Sequence, residues 1–194
     1  MFSQPGQVNF TLPKWIDEYS DTYTPTTDLS ERMRFVIEAS KRNVEENTGG
    51  PFAAAIFESK TGCLVSLGVN LVTTQGMSIL HAEIVAIAVA QRKLGTYDLG
   101  GVEMPTHELV TSTEPCAMCF GAVPWSGVRH IATAAFDEDA RSIGFDEGPK
   151  PKDWIQELES RGIKVSNNIE RKGAKEVLEL YANSGGHIYN SKES

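Results

Sequence analysis

Long apolar runs are missing from this chain. Nowhere do about 18 apolar residues stand together, so no stretch reads as a transmembrane helix. Cysteine is scarce: three in 194 residues exclude a disulfide framework. Positive charge is in deficit, with 18 Lys and Arg against 26 Asp and Glu, a net charge of −8. The basic pairs Lys41-Arg42 and Arg171-Lys172 lie beside acids and form no patch. A surface of that sign repels a phosphate backbone, so a nucleic-acid partner is not expected and a small, non-polymeric one is favoured. Residues 1–23 lack the basic start, apolar core and small-residue cleavage site of a secretory signal. The expected compartment is the cytoplasm, with no membrane partner. Internal repeats and low-complexity segments are also lacking.

What is present suffices for one substantial domain. Residues 1–28 form an N-terminal extension rich in Thr, Pro and Asp, anchored at intervals by Phe10, Leu12, Trp15 and Ile16. Residues 29–194 form the main domain. Asp28 or Ser30 reads as a helix N-cap. Met33, Val36, Ile37 and Val44 then recur at helical spacing, and Gly49-Gly50-Pro51 stops the helix. Phe52 to Phe57 and Leu64 to Leu71 read as a hairpin turning at Gly62. Ser78 to Leu94 reads as a helix apolar almost all round, and therefore buried. Further strands are expected at Glu108 to Thr111, Val128 to Ala134 and Ile163 to Val165, with helices at Ala117 to Trp125, Trp154 to Glu159 and Lys175 to Asn183. Pro124 must kink or end its helix. Strands alternating with helices imply an α/β sheet covered on both faces, with parallel pairs after the hairpin.

Chemistry concentrates in two short motifs, His81-Ala82-Glu83 and Pro115-Cys116-Ala117-Met118-Cys119. Zinc takes nitrogen and sulfur donors in a tetrahedron, and a catalytic site keeps one position open. His81, Cys116 and Cys119 give that number and type. Glu83 stands about 200° round a helix from His81, so it is placed to carry protons rather than to share the ion. Neither Cys63 nor His107 supplies a fourth ligand at a recognisable spacing. Cys63 lies in an apolar stretch and reads as a buried small hydrophobe.

At these residues the sequence resembles the cytidine deaminase-like superfamily, whose motif pairs His-x-Glu with Pro-Cys-x-x-Cys. The resemblance implies a three-layer α/β/α sandwich with a mixed five-stranded sheet, a zinc ion, and hydrolytic loss of ammonia from a base or related ring. A closer resemblance, to bacterial guanine deaminases (some of which also act on ammeline), rests on four stretches. These are residues 49–55 (Gly-Gly-Pro-Phe-Ala-Ala-Ala), Asn70, residues 120–129 (Phe-Gly-Ala-Val-Pro-Trp-Ser-Gly-Val-Arg) and residues 143–149 (Ile-Gly-Phe-Asp-Glu-Gly-Pro). It implies that Asn70 and Ala82 bind the purine, that Phe52 and Trp125 flank it, and that Glu147 faces it and shares in proton transfer. It also implies that the Ile188-Tyr189-Asn190 tail closes a pocket, in some relatives the partner subunit's, and that the protein is a homodimer.

The function expected is hydrolysis of guanine to xanthine and ammonia. Rival substrates are ammeline, cytosine, cytidine and the adenosine of a tRNA, the last opposed by the net charge of −8. A rival of another class is an inactive, zinc-structured binding protein, which would have no need of Glu83.

Overall fold

The computed structural model describes residues 2–190. The extension contributes α1 (Trp15–Asp21). Then come α2 (Leu29–Glu45), β1 (Ala53–Glu58), β2 (Leu64–Val69), α3 (Val72–Gln75), α4 (Ala82–Leu94), β3 (His107–Thr113) and α5 (Ala117–Ser126). The chain finishes through β4 (His130–Ala135), α6 (Asp137–Ser142), α7 (Trp154–Glu159), β5 (Lys164–Ser166) and α8 (Arg171–Asn183). The strands form one five-stranded sheet in the order β2-β1-β3-β4-β5. β1 runs antiparallel to β2 and β3, whereas β3, β4 and β5 are parallel. The sheet is therefore mixed, as the resemblance implies.

Both faces are covered because β1 alternates at period two. Ala53, Ala55 and Phe57 enter one core with Met33, Val36, Val177 and Leu178 of α2 and α8. Ala54 and Ile56 enter a second with Ala86, Ala90, Val123 and Leu158 of α4, α5 and α7. Trp15 and Ile16 lie in the first core, so the extension packs on the domain through α1. The indole N–H of Trp15 donates to Thr48 Oγ1 at 3.1 Å. Of the two N-cap residues read from sequence, Asp28 takes the role, accepting from the N–H groups of Ser30 and Glu31 at 2.7 and 3.2 Å.

Several elements differ from the sequence reading. β2 ends at Val69, two residues short of the expected Leu71, and α3, for which the sequence gives no expectation, follows at Val72. α4 begins at Ala82 rather than Ser78, and Ile84, Ala88 and Val89 are only partly buried. Cys63 is exposed, because it sits in the β1–β2 turn rather than in a strand. Among the described residues no helix is long and apolar enough to cross a membrane.

The seat of α4 on β2 fixes where His81 and Glu83 point. A Cβ at Gly68 would lie 2.4 Å from Ala86 N and 2.5 Å from Ala82 O, so only glycine lets the helix approach this closely. Ser66 seals the contact, its hydroxyl donating to Ala86 O at 2.7 Å. Gly68→Ala should force α4 outward and destabilise the fold by about 1–3 kcal/mol, the range for overpacking a tight core. Urea unfolding monitored by circular dichroism measures this directly; an unchanged midpoint would contradict the close packing.

Candidate metal and substrate site

His81 and Cys116 are the N-cap residues of α4 and α5, both with extended backbone. Two helix N-termini thus converge, and their free N–H groups favour negative charge. His81 Nδ1 lies 3.4 Å from Cys116 Sγ and 3.7 Å from Cys119 Sγ. The donor atoms of all three residues fall within 4.8 Å of one another. Zinc bonds of about 2.0–2.3 Å give a tetrahedron with edges of roughly 3.5 Å, so the set fits a zinc ion. No fourth His, Cys, Asp or Glu completes the group among the described residues. His107 stands at the start of β3 and holds Leu99 O through Nδ1 at 2.7 Å. The geometry is that of an open, three-ligand zinc site.

Protonation follows from the crowding of acids. Hydrogen bonding from the Cys119 thiol, helped by His81, lowers the Cys116 thiol to about 4. The Cys119 thiol is raised, first because it supplies that proton and then by burial. One proton is therefore shared between two sulfurs. Burial, reinforced by the Cys116 thiolate, lifts Glu83 to about 7. A bound dication reverses this balance and favours both thiolates and the carboxylate.

His81 and Cys116 open onto a cavity of about 390 Å³, in the range of small-molecule pockets, with Cys119 buried behind them. Glu83, Asn70, Phe52, Glu147 and Tyr189 all line it. Asn70 is fixed from behind. Asn43, wholly buried, donates from Nδ2 to Gly50 O at 2.8 Å and Asn70 O at 3.0 Å. A Cβ at Gly49 would lie 1.8 Å from Asn70 O, so the Gly49-Gly50 turn must be side-chain-free to bring α2 against the end of β2. The Asn70 side-chain amide donates to the hydroxyl of Tyr189. Glu147 follows α6 on a loop that turns at Gly144 (φ 109°) and Gly148 (φ 69°). Its carbonyl accepts from Ala117 N–H at 2.9 Å, tying it to the first turn of α5. Burial, with the Cys116 thiolate next in weight, pushes its carboxyl up to about 8.

The tail closes the cavity of its own chain. Tyr189 packs edge-on against Phe145 at 5.2 Å and against His81 at 6.1 Å. Asn190 clasps the Glu147 loop, accepting from Asp146 N–H and donating to Gly144 O, each at 2.9 Å. Two residues expected at the site do not reach it. Trp125 is 86% exposed and lines no part of the cavity, because it lies two helical turns beyond Met118 at the far end of α5. Ala82 also falls outside the lining, its methyl buried in the core beneath α4. Phe145, by contrast, is a lining residue that sequence reasoning passed over. It meets Phe52 at 5.0 Å, and its only signal was its place beside Glu147.

Zinc must displace at least the proton that the two sulfurs share. Affinity should therefore rise with pH by about tenfold per unit for each proton expelled, and weaken as pH falls. Competition with a chromophoric chelator between pH 6 and 8 checks this. Cys116→Ser, Cys119→Ser or His81→Ala should abolish stoichiometric zinc, and a pH-independent affinity would contradict the shared proton.

Residues 26–135 match the family described as the cytidine and deoxycytidylate deaminase zinc-binding region. The guanine deaminase of Bacillus subtilis is 38% identical over 120 residues, 62% of this chain and 72% of that one. The solved guanine deaminase of Nitrosomonas europaea superposes with a TM-score of 0.88 at 41% identity, covering 94% of this chain and all of that one. A structure solved in complex with 2,6-diaminopurine matches at a TM-score of 0.88 and 44% identity, over 94% of this chain and 96% of that one. With zinc donors in place and a carboxylate beside them, the chain belongs to the cytidine and deoxycytidylate deaminase family and is a zinc-dependent hydrolytic deaminase.

Proposed function

We propose that the substrate is guanine, which with water gives xanthine and ammonia. The observation that carries this reading is the placing of Asn70 and Glu147 around one small cavity that opens on the zinc donors. An amide can both donate to and accept from a purine edge, and a carboxylate accepts from guanine's amino and ring N–H groups. Phe52 offers an aromatic wall to a flat ring. The guanine deaminases of Bacillus subtilis and Nitrosomonas europaea, at 38% and 41% identity, support the same substrate. Ammeline carries comparable amino and ring-nitrogen groups and is the nearest competing ring. A tRNA is opposed by the net charge of −8 and by a cavity that the chain's own tail covers.

His81, Cys116 and Cys119 would hold a zinc ion, which would supply a polarised water of lowered pKa. Glu83 stands in the cavity wall as the proton carrier. It takes a proton from the attacking water and hands it to a ring nitrogen. A second transfer goes to the departing amine as the bond from C2 to the amino nitrogen breaks. Glu147 and Asn70 hold the ring with C2 toward the His81 and Cys116 wall of the cavity, and Glu147 shares in proton transfer. Tyr189 excludes bulk water, which strengthens each of these polar contacts.

A homodimer belongs to the same reading. The sequence of α5, Ala-Met-Cys-Phe-Gly-Ala-Val-Pro-Trp-Ser, contains no charge. Met118 and Trp125 are exposed on it, and a Cβ at Gly121 would meet nothing within 4 Å. Trp125 as knob and Gly121 as hole make a self-complementary face for an isologous pair. An uncharged face is also where two acidic chains meet with least repulsion. Soluble composition and scarce, unpaired cysteines support a cytoplasmic setting.

The test is ammonia release from guanine, ammeline, cytosine, cytidine, adenine and a tRNA. Guanine should be turned over fastest, and silence across the panel from zinc-loaded protein would sink the reading. Glu83→Gln should lower turnover at least about 100-fold while zinc stays bound. Glu147→Gln should lower kcat/KM for guanine and leave zinc content unchanged. In a separate experiment Trp125→Glu should sediment at the mass of one chain where the parent sediments at two; a monomeric parent would end the dimer reading.

A further inference from the structure

Lys150 is a buried cation that the chemistry above does not use. Its side chain is 6% exposed, and its ammonium makes no direct hydrogen bond among the described residues. Two carboxylates hold it at ion-pair range, Glu114 Oε2 at 3.5 Å and Asp137 Oδ1 at 3.8 Å. The Trp154 ring caps it from a third direction, with its centroid at 4.9 Å. A buried ammonium is retained only where opposite charge and a polarisable face offset its lost hydration.

Its neighbours give this cation a task. Lys150 lies three residues after Glu147, on the same loop. Glu114 lies two residues before Cys116, at the end of β3, and itself lines the cavity. Glu114 Oε2 also accepts from Asp137 N–H at 3.0 Å, so one lysine joins the loop to the ends of both β3 and β4. The outer side of the loop is held by Arg141, which reaches Asp137 at 2.9 Å and Gly148 O at 3.1 Å. Arg141 is 41% exposed, and water screens its pairs. Lys150 is the shielded tie.

We infer that Lys150 is a positioning residue: through Glu114 it fixes the Glu147 loop against the turn that carries Cys116, setting the distance between the group that reads the ring and the metal that attacks it. This rests on the reading that Glu147 faces substrate. Remove the cation and the buried Glu114 carboxylate faces Asp137 with no counter-charge between them, and the loop must move to admit water to Glu114.

The experiment is a double-mutant cycle between Lys150→Met, which keeps the stem over Trp154, and Glu147→Gln. The readouts are guanine kinetics and zinc per chain. Lys150→Met alone should lower kcat/KM on the order of 100-fold, as displacement of a positioned group by about 1 Å does, with zinc unchanged. In the Glu147→Gln background the same change should cost less than about twofold, because the group it positions is already gone. Equal losses in both backgrounds, or loss of zinc from Lys150→Met, would overturn the inference. Unchanged kinetics in Glu147→Gln alone would remove Glu147 from the site and the inference with it. Should Lys150→Met fail to fold, Glu114→Gln replaces it in the cycle and must show the same non-additivity.

Discussion

Cys116, Cys119, Glu83 and Glu147 gather acidic groups in and beneath the wall of one cavity, and the rest of the structure serves to keep them there. Burial and mutual repulsion push Glu83 to about 7 and Glu147 to about 8, while the cysteines share a proton. Such a cluster is tolerable only if something positive completes it. Two helix N-termini supply part of the compensation, and a zinc ion supplies the rest. The same electrostatic tension serves the reaction: carboxylates lifted toward neutral pH are suited to exchanging protons.

The scaffold converts that tension into geometry by close backbone approach and by buried polar ties. Gly68 lets α4 sit on β2, which aims His81 and Glu83. Gly49 and Asn43 press the α2 turn onto the end of β2, which aims Asn70. Lys150 and Asn190 hold the Glu147 loop from the sheet side and the tail side. The metal half of the site is thus built on regular secondary structure, while the ring-reading half depends on loops clasped by single side chains. That division explains how one zinc chemistry is kept while the ring it acts on is changed.

The metal half was legible in the sequence because its ligands fall within two short motifs at helix starts, where spacing alone fixes their reach. The sheet was legible for a similar reason: Ala53 to Phe57 form an apolar run that alternates between two cores, and β4 is a second short run of mostly apolar residues. Short elements set by tertiary contact were not. α1 and α6 carry too few apolar residues to show a helical period, and α3 is a single turn of four residues, too short to show one. Trp125 lies outside the cavity because a family motif fixes its position on a helix but not the direction that the helix presents, and a single chain leaves it in solvent. Lys150 gave no signal, since its partners Glu114 and Asp137 lie 36 and 13 residues away in sequence and meet it only through the sheet.

The central claim is an open zinc site made of one histidine and two thiolates, with Glu83 beside the ion rather than on it. X-ray absorption at the zinc edge of the loaded protein tests it most directly. The account predicts two sulfur scatterers at about 2.3 Å and two light atoms at about 2.0 Å, one of which shifts or exchanges when a purine inhibitor is added. A shell of four protein donors, unaltered by inhibitor, would contradict it.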